Sequence, residues 1–144
     1  MTQTRYLSDQ HTMHGVFIEV NSLGALITGS SNIGKSEVAL ELIERGHRLI
    51  ADDSVLISKN PEAELVGKCP ATLQDFLEVR GLGILNIRAM FGDNAICTVK
   101  SLQLIIHLFH ASLEQLHSFD RFNGFLQPKP QGSHTAVHLD AGNR

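Results

Sequence analysis

The chain has 144 residues, 42% hydrophobic and 19% charged, which suits one ordinary globular domain with a buried core. A formal net charge of -3 and a pI near 6.2 leave no basic face of the kind that nucleic acid requires. The opening MTQTRYLSDQHTMHG has no apolar leader segment and the longest apolar run, LIIHLF, is far too short for a bilayer, so neither nucleic acid nor a membrane is an expected partner and the expected location is cytoplasmic.

In chain order, VFIEV (Val16 to Val20) and ALIT (Ala25 to Thr28) read as strands. The second runs into GSSNIGKS, Gly29 to Ser36, a G-x-x-x-x-G-K-S pattern, and then into a segment whose apolar residues Val38, Ala39, Leu42 and Ile43 share one helical face. Gly46 supplies the stop. A strand, a glycine-containing loop and a helix in that order form the setting in which the pattern cradles phosphate. Glycines let successive N–H groups aim at phosphate oxygens, the lysine reaches the terminal phosphates, and the serine hydroxyl is a magnesium ligand. The helix N-terminus adds its positive dipole end. Gly29, Ser30, Ser31, Asn32, Ile33, Gly34, Lys35 and Ser36 are therefore the candidate nucleotide-binding residues, with ATP and magnesium as the implied ligands.

LIADD, Leu49 to Asp53, follows as a short apolar strand ending in two acids. A helix over Lys35 to Arg45 carries the chain about 16 Å away from the loop at about 1.5 Å per residue. A five-residue strand at roughly 3.3 Å per residue returns it by the same distance. Asp52 and Asp53 then stand at the phosphate end, as a carboxylate that holds magnesium or accepts a proton must. Because strand side chains alternate, one acid is expected to face the site and the other to face away. An acidic strand directly after the loop helix is also a less common order for phosphate-loop folds.

VLIS (Val55 to Ser58) reads as another strand, Asn60-Pro61 and Cys69-Pro70 as loops, and ATLQDFL as a short helix. Cys69 and Cys97 lack CxxC spacing, so reduced thiols are expected. In LEVRGLGILNI, Leu77 to Ile87, Glu78 and Arg80 share one face of an extended segment, and Gly81 and Gly83 allow close backbone approach. By physics alone, this is either a carboxylate and guanidinium serving a metal and a phosphate or a salt bridge before a glycine turn. LQLIIHL (Leu102 to Leu108) alternates as a strand, SLEQLHSF reads as a helix, and TAVHLD as a last strand beyond Pro128 and Pro130. The pairs His11/His14, His107/His110 and His134/His138 do not make a zinc site: in a strand the last pair stands about 13 Å apart, and no third ligand is evident for His107 and His110.

GSSNIGKSEVALELIERGHRLIADD together with LEVRGLGILNI, preceded by HGVFIEV, resembles the catalytic domain of HPr kinase/phosphorylase over roughly Met13 to Arg121. That bacterial enzyme phosphorylates a serine of the phosphocarrier protein HPr and reverses this with inorganic phosphate, so regulating carbohydrate uptake through the phosphotransferase system. The resemblance implies an α/β P-loop kinase domain with a mixed central sheet in a phosphoenolpyruvate carboxykinase-like arrangement. It also implies HPr as partner and a homo-hexamer. By the same resemblance, Lys35 contacts the reacting phosphate, Ser36 and Glu78 hold magnesium, Asp53 is the base, His14 lies beside the reacting groups, and Arg121 assists.

Three departures accompany the resemblance. The chain reads as a single domain over 1–144, without the family's N-terminal domain and ending before its C-terminal helices. Ser30 and Asn32 replace an acid and a glycine in the phosphate loop, where asparagine tolerates a left-handed backbone. In the altered C-terminal segment 127–144, Ser133 and His134 stand where the family has arginine and asparagine, in a loop tied to dephosphorylation, which implies weak reversal. A small-molecule kinase or ATPase and a non-catalytic nucleotide sensor are the alternative readings.

Overall fold

The computed structural model describes residues 10–112, 125–128 and 134–141. Its strands are β1 (His11–His14), β2 (Val16–Val20), β3 (Leu23–Gly29), β4 (Arg48–Ala51), β5 (Ser54–Lys59), β6 (Leu65–Lys68), β7 (Phe76–Val79), β8 (Gly83–Asn86), β9 (Val99–Ser101), β10 (Leu104–Ala111), β11 (Phe125–Pro128) and β12 (His134–Ala141). The helices are α1 (Lys35–Glu44) and α2 (Ile87–Phe91). This is a mixed α/β fold, and among the described residues no helix is long and apolar enough to cross a membrane.

A six-stranded sheet in the order β11-β12-β10-β3-β2-β4 forms the centre. Only β3 and β10 pair in parallel; the other neighbours are antiparallel. The strands β2 and β3 form a hairpin through Asn21 and Ser22, whose φ values of 49° and 69° match the two left-handed positions of a tight hairpin turn. Because β2 runs antiparallel to both β3 and β4, those two strands point the same way with β2 between them. The connection through α1 therefore returns β4 to the edge of the sheet where β3 ends.

Alternation along the central strands fills two cores. Val16, Ile18, Ile27 and Leu49 face α1, where Ala39 and Ile43 are buried. Phe17, Leu26 and Ile50 face the opposite way, with Val55 and Ile57 of a second sheet in the order β1-β5-β6-β9. Burial on both faces explains why these strands read as nearly continuous apolar runs. Helix α1 stops as its glycine requires. Gly46, at φ 99°, donates its N–H to the Ile43 carbonyl while the His47 N–H reaches that of Leu42, both at 3.0 Å.

Two features differ from the sequence reading. ATLQDFL is not a helix: one 3-10 turn over Ala71–Leu73 gives way to an extended Gln74 and a left-handed Asp75 at φ 75°, after which Phe76 and Leu77 begin β7. The pull of β7 into its hairpin with β8, and the burial of Leu77, override a weak local helix preference. In addition, β1, β6, β9 and α2 carry too few alternating apolar residues to be legible locally. The expected SLEQLHSF helix lies, beyond its first residue, outside the described residues.

Candidate active site

The phosphate loop leaves β3 at Gly29 and enters α1 at Lys35. Its shape is set by backbone that side chains rarely adopt: Gly29, Asn32 and Gly34 have φ of 147°, 69° and 114°. At Gly29 a Cβ would lie 2.7 Å from the Leu108 carbonyl oxygen and 2.9 Å from Ile33, so no side chain fits. Gly34 faces open space, and there it is the dihedral alone that favours glycine. Ile33 is fully buried and pins the loop to the core. No side chain caps the N-terminus of α1, which leaves that end of the helix to an anion. The Lys35 ammonium donates to the carbonyl oxygens of Gly29 and Ser30 at 2.8 and 2.9 Å, folded over its own loop.

The loop forms one wall of a cleft of about 450 Å³. Ser31, Asn32, Gly34, Lys35 and Ser36 line it together with Asp52, Asp53, Glu78, Arg80, Gly81 and Gly83. Asp52 and Asp53 reach it because the C-terminal ends of β3 and β4 share one edge of the sheet. The expectation that one acid would face away does not hold. The strand ends at Ala51, and Asp53 takes a left-handed φ of 68°, so the alternation of an extended chain no longer applies and both acids line the cleft.

The two acids differ in setting. Asp53 is exposed, and its carbonyl oxygen accepts the Gly15 N–H at 3.2 Å and His14 Nδ1 at 3.3 Å. Asp52 is half-buried, and its carboxylate accepts the Glu78 N–H at 2.8 Å. Burial pushes the Asp52 carboxyl above the usual carboxylate range and the nearby charges of Asp53 and Glu78 add to this, opposed by the Glu78 N–H, which favours the charged form.

Glu78 and Arg80 sit on the hairpin of β7 and β8, where Leu77 and Val79 point into the core and Glu78 points outward. No ion pair joins Glu78 to Arg80 among the described residues, so the salt-bridge alternative fails. The base of the hairpin is anchored by Asp75. Its carbonyl accepts the Ile87 N–H, and its carboxylate accepts Arg88 Nε, both at 2.8 Å, which holds the Asp75 carboxyl below its usual range.

Gly15 is a cleft residue that the sequence did not single out. A Cβ there would stand 2.5 Å from the Ile27 carbonyl oxygen, and the close fit brings its N–H to Asp53. Its only local signal is its place after His14, ahead of an apolar strand. Arg121 and Ser133 lie outside the described residues. Both cysteines are free and buried, and burial together with the charges of Asp75 and Asp52 pushes the Cys69 thiol up to about 11. A thiol so placed stays protonated at neutral pH.

The side chains that could hold a metal in the cleft offer oxygen, Ser36 and Glu78 among them, with Glu37 and Asp53 also lining it and Asp52 engaged by the Glu78 N–H. Among the described residues no group of three His, Cys, Asp or Glu side chains is close enough to hold an ion unaided. Hard oxygen donors too few for a complete cage fit magnesium, which keeps waters and takes substrate phosphates beside one or two protein ligands.

Residues 5–131 match the family described as the HPr Serine kinase C-terminal domain. The chain is 51% identical over 119 residues to an HPr kinase/phosphorylase of Chromobacterium violaceum, covering 83% of this chain and 37% of that protein. It is 48% identical over 137 residues to one of Xanthomonas campestris, covering 94% and 42%. It thus spans about two fifths of the length of the curated relatives it matches. Among solved structures, the HPr(Ser) kinase/phosphatase of Coxiella burnetii is similar with a TM-score of 0.69 and 32% identity over 83% of this chain and 71% of that one. With most of its length matched to one family and with the fold of a solved member, the chain belongs to the HPr serine kinase C-terminal domain family.

Proposed function

We propose that this chain is the catalytic domain of an ATP- and magnesium-dependent kinase that phosphorylates a serine of the phosphocarrier protein HPr, in the cytoplasm and as a homo-oligomer, a hexamer by family resemblance. The observation that carries the reading is the meeting of the phosphate loop, Asp53 and Glu78 in one cleft of a chain of this family. Through HPr it would act on carbohydrate uptake.

The backbone N–H groups of residues 29–36 and the N-terminus of α1 hold the phosphates of ATP. Lys35 exchanges the carbonyls of Gly29 and Ser30 for a terminal phosphate oxygen. The acceptor serine is a poor nucleophile until it gives up its proton. Asp53, exposed in the cleft, takes that proton as the serine oxygen bonds to the γ-phosphorus and the bond to the β,γ-bridging oxygen breaks, releasing ADP. His14 and Gly15 hold the Asp53 turn through its carbonyl oxygen. Arg80, exposed and without an ion pair among the described residues, is placed to meet negative charge on the transferring group. Magnesium, held by Ser36, Glu78 and the phosphates, would supply further charge neutralisation. Arg121 is proposed as an additional catalytic arginine on the resemblance alone.

The deciding experiment incubates the chain with labelled ATP, magnesium and HPr, with and without a serine-to-alanine change in the acceptor. Label on HPr that disappears with the alanine acceptor supports the reading. Hydrolysis independent of acceptor marks an ATPase, and binding without transfer marks a sensor. The reverse reaction, removal of the phosphate by inorganic phosphate with release of pyrophosphate, is proposed to be weak. Ser133 offers a neutral hydroxyl where the family has a charged bidentate donor. Ser133→Arg should then raise phosphate-dependent pyrophosphate release more than it raises phosphorylation; brisk release by the unchanged chain contradicts this.

A further inference from the structure

Among the described residues the hairpin of β7 and β8 is a sheet of two strands, so the outer edge of β7 meets no strand there that would satisfy its N–H groups. In the antiparallel register Glu78 stands opposite Ile84, and its N–H turns outward, away from β8. There it meets the carboxylate of Asp52, 26 positions earlier in the chain, at 2.8 Å. The contact is the hydrogen bond that ties the segment bearing Glu78 and Arg80 to the turn bearing Asp53. The other anchor of the hairpin, Asp75 with Ile87 and Arg88, holds its base. Those bonds join the two ends of the hairpin to each other, and Leu77 and Val79 pack it on the core, while the Asp52 bond fastens the part nearer its turn, where the cleft residues lie.

Asp52 is poorly placed to be the proton acceptor itself. It is half-buried, and its carboxylate is already engaged by the Glu78 N–H at 2.8 Å, whereas Asp53 is exposed to an incoming hydroxyl. Orienting partners behind ligating carboxylates are a general requirement of metal and phosphate sites, because the ligand must be held before its target arrives. We propose that Asp52 is a positioning residue whose carboxylate, by accepting the Glu78 N–H, fixes the hairpin against the Asp53 turn and holds Glu78 and Arg80 in the cleft that the phosphate loop lines. This rests on the kinase reading for its consequence in turnover, but the positioning itself is a property of the unliganded chain.

The test compares Asp52→Asn with Asp52→Ala in the full chain. Asparagine keeps an oxygen that accepts the Glu78 N–H and discards the charge; alanine discards both. Hydrogen exchange of the Glu78 amide, read by NMR without nucleotide or metal, is expected to accelerate about tenfold or more in Asp52→Ala and to stay within about threefold of the unchanged chain in Asp52→Asn. In HPr phosphorylation, Asp52→Ala should raise the magnesium concentration for half-maximal rate and lower kcat by about 10- to 100-fold, with Asp52→Asn recovering most of both. An unchanged Glu78 amide in Asp52→Ala overturns the proposal. So does an Asp52→Asn variant that keeps the amide protected yet loses transfer as fully as alanine does, since that assigns Asp52 a role through its charge. Should Asp52→Ala not fold, those same two measurements on Asp52→Asn against the unchanged chain remain decisive. An unchanged chain that transfers nothing to HPr refutes the kinase reading, while the exchange measurement still judges the positioning.

Discussion

The imidazole of His14 meets Asp53 at its backbone carbonyl oxygen, 3.3 Å from Nδ1, and the Gly15 N–H reaches the same oxygen at 3.2 Å. Since a carbonyl oxygen only accepts, Nδ1 carries the proton of this bond. Asp53 is left-handed at φ 68°, a conformation that a non-glycine residue holds only when its surroundings impose it. His14 and Gly15 are those surroundings. His14→Ala should therefore loosen the turn and lower kcat by about tenfold, with less effect on ATP affinity. Steady-state kinetics against HPr check this; a loss as large as that of Asp53→Asn would make His14 a participant in proton transfer.

Asp53→Asn keeps the size of the side chain and cannot take the serine proton. Transfer to HPr should fall by about a hundredfold or more while nucleotide affinity changes modestly. Asp52→Asn, measured beside it, should be mild. If the two effects are reversed, the assignment of the base to Asp53 is wrong.

Lys35→Ala removes a cation that is held over the phosphate loop by two carbonyl oxygens. The loop backbone is also shaped by the dihedrals of Gly29, Asn32 and Gly34 and by buried Ile33. The fold should survive, with nucleotide binding weakened and phosphate transfer abolished. Calorimetry and circular dichroism separate these outcomes; full activity in this variant would end the phosphate-loop assignment.

Stability in acid should be governed in part by Glu19 on β2. Its carboxylate meets Arg48 at 2.6 Å and Lys100 at 3.1 Å. The Arg48 hydrogen bond, with help from Lys100, outweighs burial and lowers its pKa from the ordinary 4.5 to about 2. The folded value lies below the unfolded one, so this contribution is complete above about pH 4.5 and is lost as pH falls toward 2. Glu19→Gln should cost about 1 to 2 kcal/mol at neutral pH, between the worth of exposed and of buried pairs. It should also flatten the loss of stability between pH 4.5 and 2. Urea unfolding at a series of pH values measures both; an equally steep acid loss in the variant rules Glu19 out as its source.

Strand, phosphate loop and helix were legible in the sequence because each is specified within a few residues: the apolar run before Gly29, the loop spacing, the face shared by Ala39 and Ile43, and the stop at Gly46. The same local logic returned Asp52 and Asp53 to the loop, since helix and strand lengths are arithmetic. Family kinship was legible too, through two motifs that are weak apart and specific together. What was not legible depends on partners far along the chain. The insertion of β2 between β3 and β4, the left-handed turn that brings both acids into the cleft, and the break of ATLQDFL into a 3-10 turn and the start of β7 are all settled by packing against distant residues. The bond from Asp52 to Glu78 is the clearest case: neither residue type nor spacing marks it, and it exists because an open strand edge and a half-buried carboxylate are brought together only when the whole domain is folded.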